Sequence, residues 1–190
     1  MTKETIEKLP DVLKDNICEI KKTSSYDNGK GNMTESHIKV VNFDNVPKEY
    51  TRGKGWKCVP KSNDALYVTE DGQWYFIEFK NGSIDCADVY RKIYDSIIVL
   101  IELNILPGFE FLRQNGCYIL VYNSGKYGKI PSSEGRDANY AYILERAEME
   151  QKLFGVEKFE EYLFKETHTY TKKLFEECFI KPMELHENAS

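Results

Sequence analysis

The chain has 190 residues, 30% of them charged, 41% hydrophobic and 13% aromatic, with a formal net charge of −5. That length suits one domain, or one domain with an appendage, around a substantial core, and the composition excludes a disordered chain. The acidic balance excludes a surface coated in basic residues for nucleic acid, yet leaves room for a local basic groove.

No apolar run approaches membrane-spanning length and the start of the chain has no signal-type segment, so a cytoplasmic protein without a membrane partner is expected. Cys18, Cys58, Cys86, Cys117 and Cys178 are odd in number, widely spaced and without a Cys-x-x-Cys pair, which points to reduced thiols rather than zinc.

In chain order, Ile6, Leu9, Val12, Leu13, Ile17 and Ile20 have helical spacing over residues 5–20, with Pro10 as a break near the start. Residues 26–34 are a loop by composition, and a first strand is expected over residues 38–43. Residues 45–61 turn polar and basic and read as a solvated loop. Arg52, Lys54, Lys57 and Lys61 give them a second reading as a phosphate-contacting edge.

Residues 62–82 read as a β-hairpin, because two runs rich in β-branched and aromatic residues flank an Asp71-Gly72 turn signal. A two-residue loop would set Ala65 opposite Glu78. A three-residue loop, with Gly72 in the left-handed position, sets Asp64 opposite Glu78 and is the register we favour. It gathers Asp64, Leu66, Val68, Trp74, Phe76, Glu78 and Lys80 on one face, an apolar floor with three charged groups at one end. Two carboxylates facing each other across strands repel, and a cation between them reverses that penalty.

After Gly82, Ser83 or Asp85 can cap a long helix built on Val89, Ile93, Ile97, Leu100 and Ile101, with Asp88–Lys92 and Arg91–Asp95 pairs on its outside. Residues 116–122 form an almost wholly apolar, buried strand. Residues 123–135 read as a flexible loop, residues 138–153 as a second amphipathic helix, residues 159–169 as a short edge strand, and Thr171 as the cap of a last helix. The fold class expected is mixed α/β (α+β), a mixed central sheet flanked by helices.

An Asp at the start of one strand, Glu78-Phe79-Lys80 at the end of the next and a helix beyond resemble the PD-(D/E)xK nuclease superfamily. The element order over residues 5–122 (helix, three strands, helix, strand) resembles that superfamily's core. The Glu-Phe-Lys-Asn-Gly stretch with its following Arg-Lys-Ile-Tyr-Asp helix is similar to small bacterial members of unassigned role. The resemblance implies a restriction-endonuclease-like core over residues 1–135 and a helical C-terminal extension, packed on the same domain, over residues 136–190.

It further implies that Asp64, Glu78 and the Phe79 carbonyl hold Mg²⁺ (or Mn²⁺), and that Lys80 orients the attacking water and offsets phosphate charge. Asn63 stands where the pattern has Pro. Glu19 and Glu35 are both candidates for the upstream helical acid. Lys92 can reach the site or nucleic acid, although pairing with Asp88 at the surface is the plainer reading. The implied function is a nuclease acting on DNA or RNA, in defence, toxin or mobile-element biology. The alternative is a catalytically inactive interaction or immunity protein on the same fold, its acidic surface suited to a basic protein partner.

Overall fold

The computed structural model describes residues 1–26, 29–126, 150 and 152–189. The expected loop beyond residue 126 and the expected helix over 138–153, apart from its last residues, lie outside them. Among the described residues, no helix is long and apolar enough to cross a membrane.

Six strands form one sheet in sequential order: β1 (Ile17–Glu19), β2 (Lys39–Asn42), β3 (Ala65–Val68), β4 (Trp74–Lys80), β5 (Gly116–Tyr122) and β6 (Glu166–Thr171). The first four are antiparallel neighbours; β5 lies parallel to β4 and β6 parallel to β5, giving a mixed α/β sheet flanked by helices. The parallel step from β4 to β5 is bridged by α5 (Cys86–Glu102) and α6 (Phe109–Asn115), as parallel pairing requires a long crossover.

Two stretches before the hairpin differ from expectation, and the strand expected over residues 159–169 begins only at Glu166. The helical periodicity of residues 5–20 resolves into α1 (Lys3–Lys8), α2 (Asp11–Lys14), strand β1 and α3 (Ile20–Thr23). Pro10 holds Leu9 extended (φ −69°, ψ 149°) and ends α1. Asn16 donates its amide to the Val12 carbonyl beyond α2, and the chain then pairs with β2 through Cys18 opposite Val40. Residues 45–54, expected as a loop, form α4 (Asn45–Lys54). Its buried Val46, Pro47, Tyr50 and Thr51 share one face, Pro47 sits in the first turn where its missing N–H costs little, and Gly55 closes the helix at φ 69°.

The hairpin has the three-residue register. Ala65 pairs with Ile77 and Val68 with Trp74, Thr69 and Gln73 close the turn, and Gly72 has φ 83°. Side chains of opposite parity therefore serve two layers. Tyr67, Tyr75 and Phe79 pack against Phe175 and Phe179, which follow β6 within α7 (Lys172–Phe175) and a π-helical turn, with α8 (Lys181–Ala189) beyond. Trp74 and Phe76 meet Phe111, Phe43 and Phe164 on the other face. That second face also carries α5, whose Val89, Ile93, Ile97 and Leu100 are buried and whose first turn is capped by Asp85. Thr171 caps α7 through the Leu174 N–H. The described part of residues 136–190 thus contributes a sheet strand as well as helices.

Candidate active site

The ladder between β3 and β4 ends at Ala65–Ile77, while β4 runs on to Lys80. Asp64 stands one step beyond the ladder, in line with Glu78. Its backbone N–H donates to the Ile77 carbonyl (3.1 Å), and its Oδ2 accepts the Phe79 N–H (2.6 Å). A side chain thus completes the backbone bonding that the missing strand residue leaves open.

Three ammonium groups converge there. Lys92 Nζ donates to Asp64 Oδ1 (3.1 Å) and to Glu78 Oε1 (2.6 Å), bridging the two carboxylates. Lys80 Nζ lies 3.0 Å from Glu78 Oε1 and donates to Asp88 Oδ2 at 3.3 Å. Lys61 completes the set from the loop before β3, its ammonium 2.9 Å from Asp88 Oδ1.

The Asp88–Lys92 surface pair expected on α5 does not form. Lys92 turns into the site and Asp88 holds Lys80 and Lys61. The physical cause is the polar stripe Asp88, Lys92, Ser96, spaced by four, which faces the segment entering β3; Ser96 Oγ accepts the Asn63 N–H there. That stripe is the signal by which the sequence marks Lys92 as inward-facing. The Arg91–Asp95 pair does form, at 3.6 Å.

Burial sets the electrostatics. Glu78 is 0% exposed, and its carboxyl is pushed up to about 8 by desolvation and then by the neighbouring Asp64 charge, against the pull of Lys92 and Lys80. Desolvation likewise raises Asp64, although Lys92 and the Phe79 N–H favour its charged form. For Lys92, desolvation alone would lower the pKa, but Asp64 and Glu78 together raise it above the ordinary lysine value. The protonation of the cluster is therefore shared: Glu78 keeps its proton more readily than a free carboxyl does, and Lys92 holds its own more tightly.

A cleft of about 440 Å³ opens onto the cluster, lined among others by Lys22, Tyr26, Asp44, Asp64, Lys80 and Lys92. Asp44, just past β2, was not singled out by sequence reasoning. Its Oδ1 accepts the Ser62 hydroxyl (2.7 Å), and its charge adds to the upward push on Asp64. Its neighbour Phe43 is tied to Asp64 by a backbone bond, so Asp44 follows from the strand register alone.

The remaining candidates lie elsewhere. Arg52, Lys54 and Lys57 are exposed on α4 and the turn after it, outside the cleft lining, with Lys54 over the Tyr50 ring. Glu19 pairs with His37 and Lys39 on β1–β2, and Glu35 with Lys21; neither lines the cleft.

Among the described residues, no three His, Cys, Asp or Glu side chains form a metal-holding group. The donor set is two carboxylates that already share one cation, with Glu78 Oε2 buried and without a hydrogen-bond partner there. Oxygen donors of this kind suit a hard divalent ion such as Mg²⁺, which takes few carboxylates and keeps its waters. Compared with family models, curated proteins and solved structures, the chain matches none.

Proposed function

We propose that this chain is a metal-dependent phosphodiesterase of the PD-(D/E)xK type, with a restriction-endonuclease-like core, acting on DNA or RNA. The observation that carries the reading is the convergence of Asp64, Lys80 and Lys92, which line one polar cleft, on the buried Glu78. The run β2–α4–β3–β4–α5–α6–β5, with β2, β3 and β4 antiparallel and β5 parallel to β4, supports the same reading, although β1, α3 and α4 depart from the expected order of a helix followed by three strands.

Asp64, Glu78 and the Phe79 carbonyl would hold Mg²⁺ or Mn²⁺. Such an ion, when bound, polarises a phosphoryl oxygen and makes a bound water more nucleophilic. Lys80, kept in place by Glu78 and Asp88, orients the attacking water and offsets charge as it develops on the phosphate. Lys22 at the mouth of the cleft attracts the polyanion.

A second reading, a non-catalytic interaction protein on the same scaffold, is favoured by one observation: Lys61, Lys80 and Lys92 already neutralise much of the cluster. Incubation with plasmid, single-stranded DNA and RNA, in Mg²⁺ or in chelator, separates the two. We expect metal-dependent cleavage that falls by about 10²-fold or more in Lys80→Ala and Asp64→Asn. Cleavage absent throughout, or unchanged in both variants, refutes the enzyme.

A further inference from the structure

Lys92 holds the place between the two carboxylates that a metal would need. Its Nζ touches Asp64 Oδ1 and Glu78 Oε1 at 3.1 and 2.6 Å, and Asp64 Oδ2 is already committed to the Phe79 N–H. The carboxylate oxygens left for a divalent ion, beside the Phe79 carbonyl, are therefore the two that Lys92 touches, one of them shared with Lys80, and Glu78 Oε2, which has no hydrogen-bond partner among the described residues. We infer that Lys92 is the resident counter-ion of this site, and that a divalent cation loads only by displacing its ammonium. The inference rests on the metal-dependent reading above and makes Lys92 a positioning residue that sets metal affinity.

The exchange is obligatory in both directions. Withdrawing Lys92 with nothing in its place leaves two buried carboxylates facing each other, and breaking a buried ion pair on one side is strongly destabilising. Adding a metal while Lys92 stays would press two cations against the same pair of oxygens. Lys80 does not bridge the pair as Lys92 does, because its contacts are Glu78 Oε1 and Asp88 rather than Asp64, and Asp88 in turn is shared with Lys61.

Displacement needs no movement of the backbone. Lys92 lies inside α5, its ammonium reaches the cluster on a flexible four-carbon stem, and its side chain also lines the open cleft. A released ammonium moves into that cleft, where it meets an incoming phosphate. Metal loading and preparation of the substrate side thus become one event.

The test is calorimetric titration of the full chain with Mg²⁺ and with Mn²⁺, beside Lys92→Met and Lys92→Gln. Both variants are expected to bind about tenfold more tightly than the parent, the scale by which neighbouring groups tune metal affinity. Their melting temperatures in chelator should lie below the parent's and rise more on adding metal.

A second measurement uses the parent alone: amine acetylation read by mass spectrometry. Lys92 labelling should increase several-fold with metal, while the exposed Lys3 stays constant. This decides the matter should the variants fail to fold. Equal affinity in parent and variants, or Lys92 labelling indifferent to bound metal, overturns the inference and leaves the metal-dependent reading standing. Absence of metal binding in all three proteins overturns both.

Discussion

Fully buried on β4, Glu78 shares Oε1 with Lys80 and Lys92, while Oε2 has no hydrogen-bond partner among the described residues. Desolvation, joined by the Asp64 charge, outweighs both ammonium groups and raises its carboxyl from 4.5 to about 8. A raised carboxyl pKa means that the folded state binds the proton more tightly than the unfolded chain does. Its contribution to stability is therefore complete below the unfolded value and is lost as pH climbs toward the folded one. In chelator, the parent should lose stability between about pH 5 and pH 8, on the order of 3 kcal/mol from this group. Glu78→Gln, which cannot titrate, should show a flatter profile. Urea denaturation at pH 5 and pH 8 checks this, and parallel profiles would refute it. That Asp64, Glu78 and Lys80 share a face was legible in the sequence once the three-residue loop was preferred to the two-residue one, because the register fixes the face. The inward turn of Lys92 was signalled only by the Asp88–Lys92–Ser96 stripe, and the place of Asp44 only by the β2–β3 register, which the adjacent Val40 and Val41 leave open in the sequence.

At the scale of elements, the same division holds. The hairpin, α5 and β5 follow from local signals: a turn dipeptide, an Asp cap, an unbroken apolar run. The division of residues 5–20 does not, because Pro10 marks a break without saying that the chain beyond it becomes a strand. Nor does α4, whose few apolar residues are dispersed among charges. A non-local contact also pins the segment after the undescribed residues to α5. Tyr90 donates its hydroxyl to the Phe154 carbonyl (2.7 Å), and a Cβ on Gly155, at φ 66°, would meet that hydroxyl at 2.4 Å. Gly155→Ala should therefore cost about 2 kcal/mol or more, from left-handed strain plus the collision. Tyr90→Phe should cost about 1 kcal/mol for the lost hydrogen bond. The double variant should cost less than the sum, because removing the hydroxyl relieves the collision. Additive losses in thermal denaturation would show that the collision is relieved by backbone movement instead.

At the scale of the whole molecule, the proposed nuclease reading requires a chain of net charge −5 to attract a polyanion. Charge placement meets that requirement better than charge total, because a cleft concentrates the field of the groups that line it. Lys22, Lys80 and Lys92 share the cleft with Asp44 and Asp64, whereas Arg52, Lys54 and Lys57 project from α4 and its turn, outside it. Lys80 and Lys92 are spent on carboxylates, and Lys22 is the lining lysine nearest to a free role at the surface. Lys22→Glu should thus weaken binding of a labelled oligonucleotide in chelator about five- to tenfold at 0.1 M salt. It should also reduce the slope of log K against log salt by about one, the signature of a lost phosphate contact. Lys54→Glu, whose ammonium lies over the Tyr50 ring, should change affinity by less than about twofold. Fluorescence anisotropy across a salt series separates the two paths. A larger loss in Lys54→Glu would move the substrate track from the cleft mouth to α4, and the basic residues of that helix would then carry the backbone contacts.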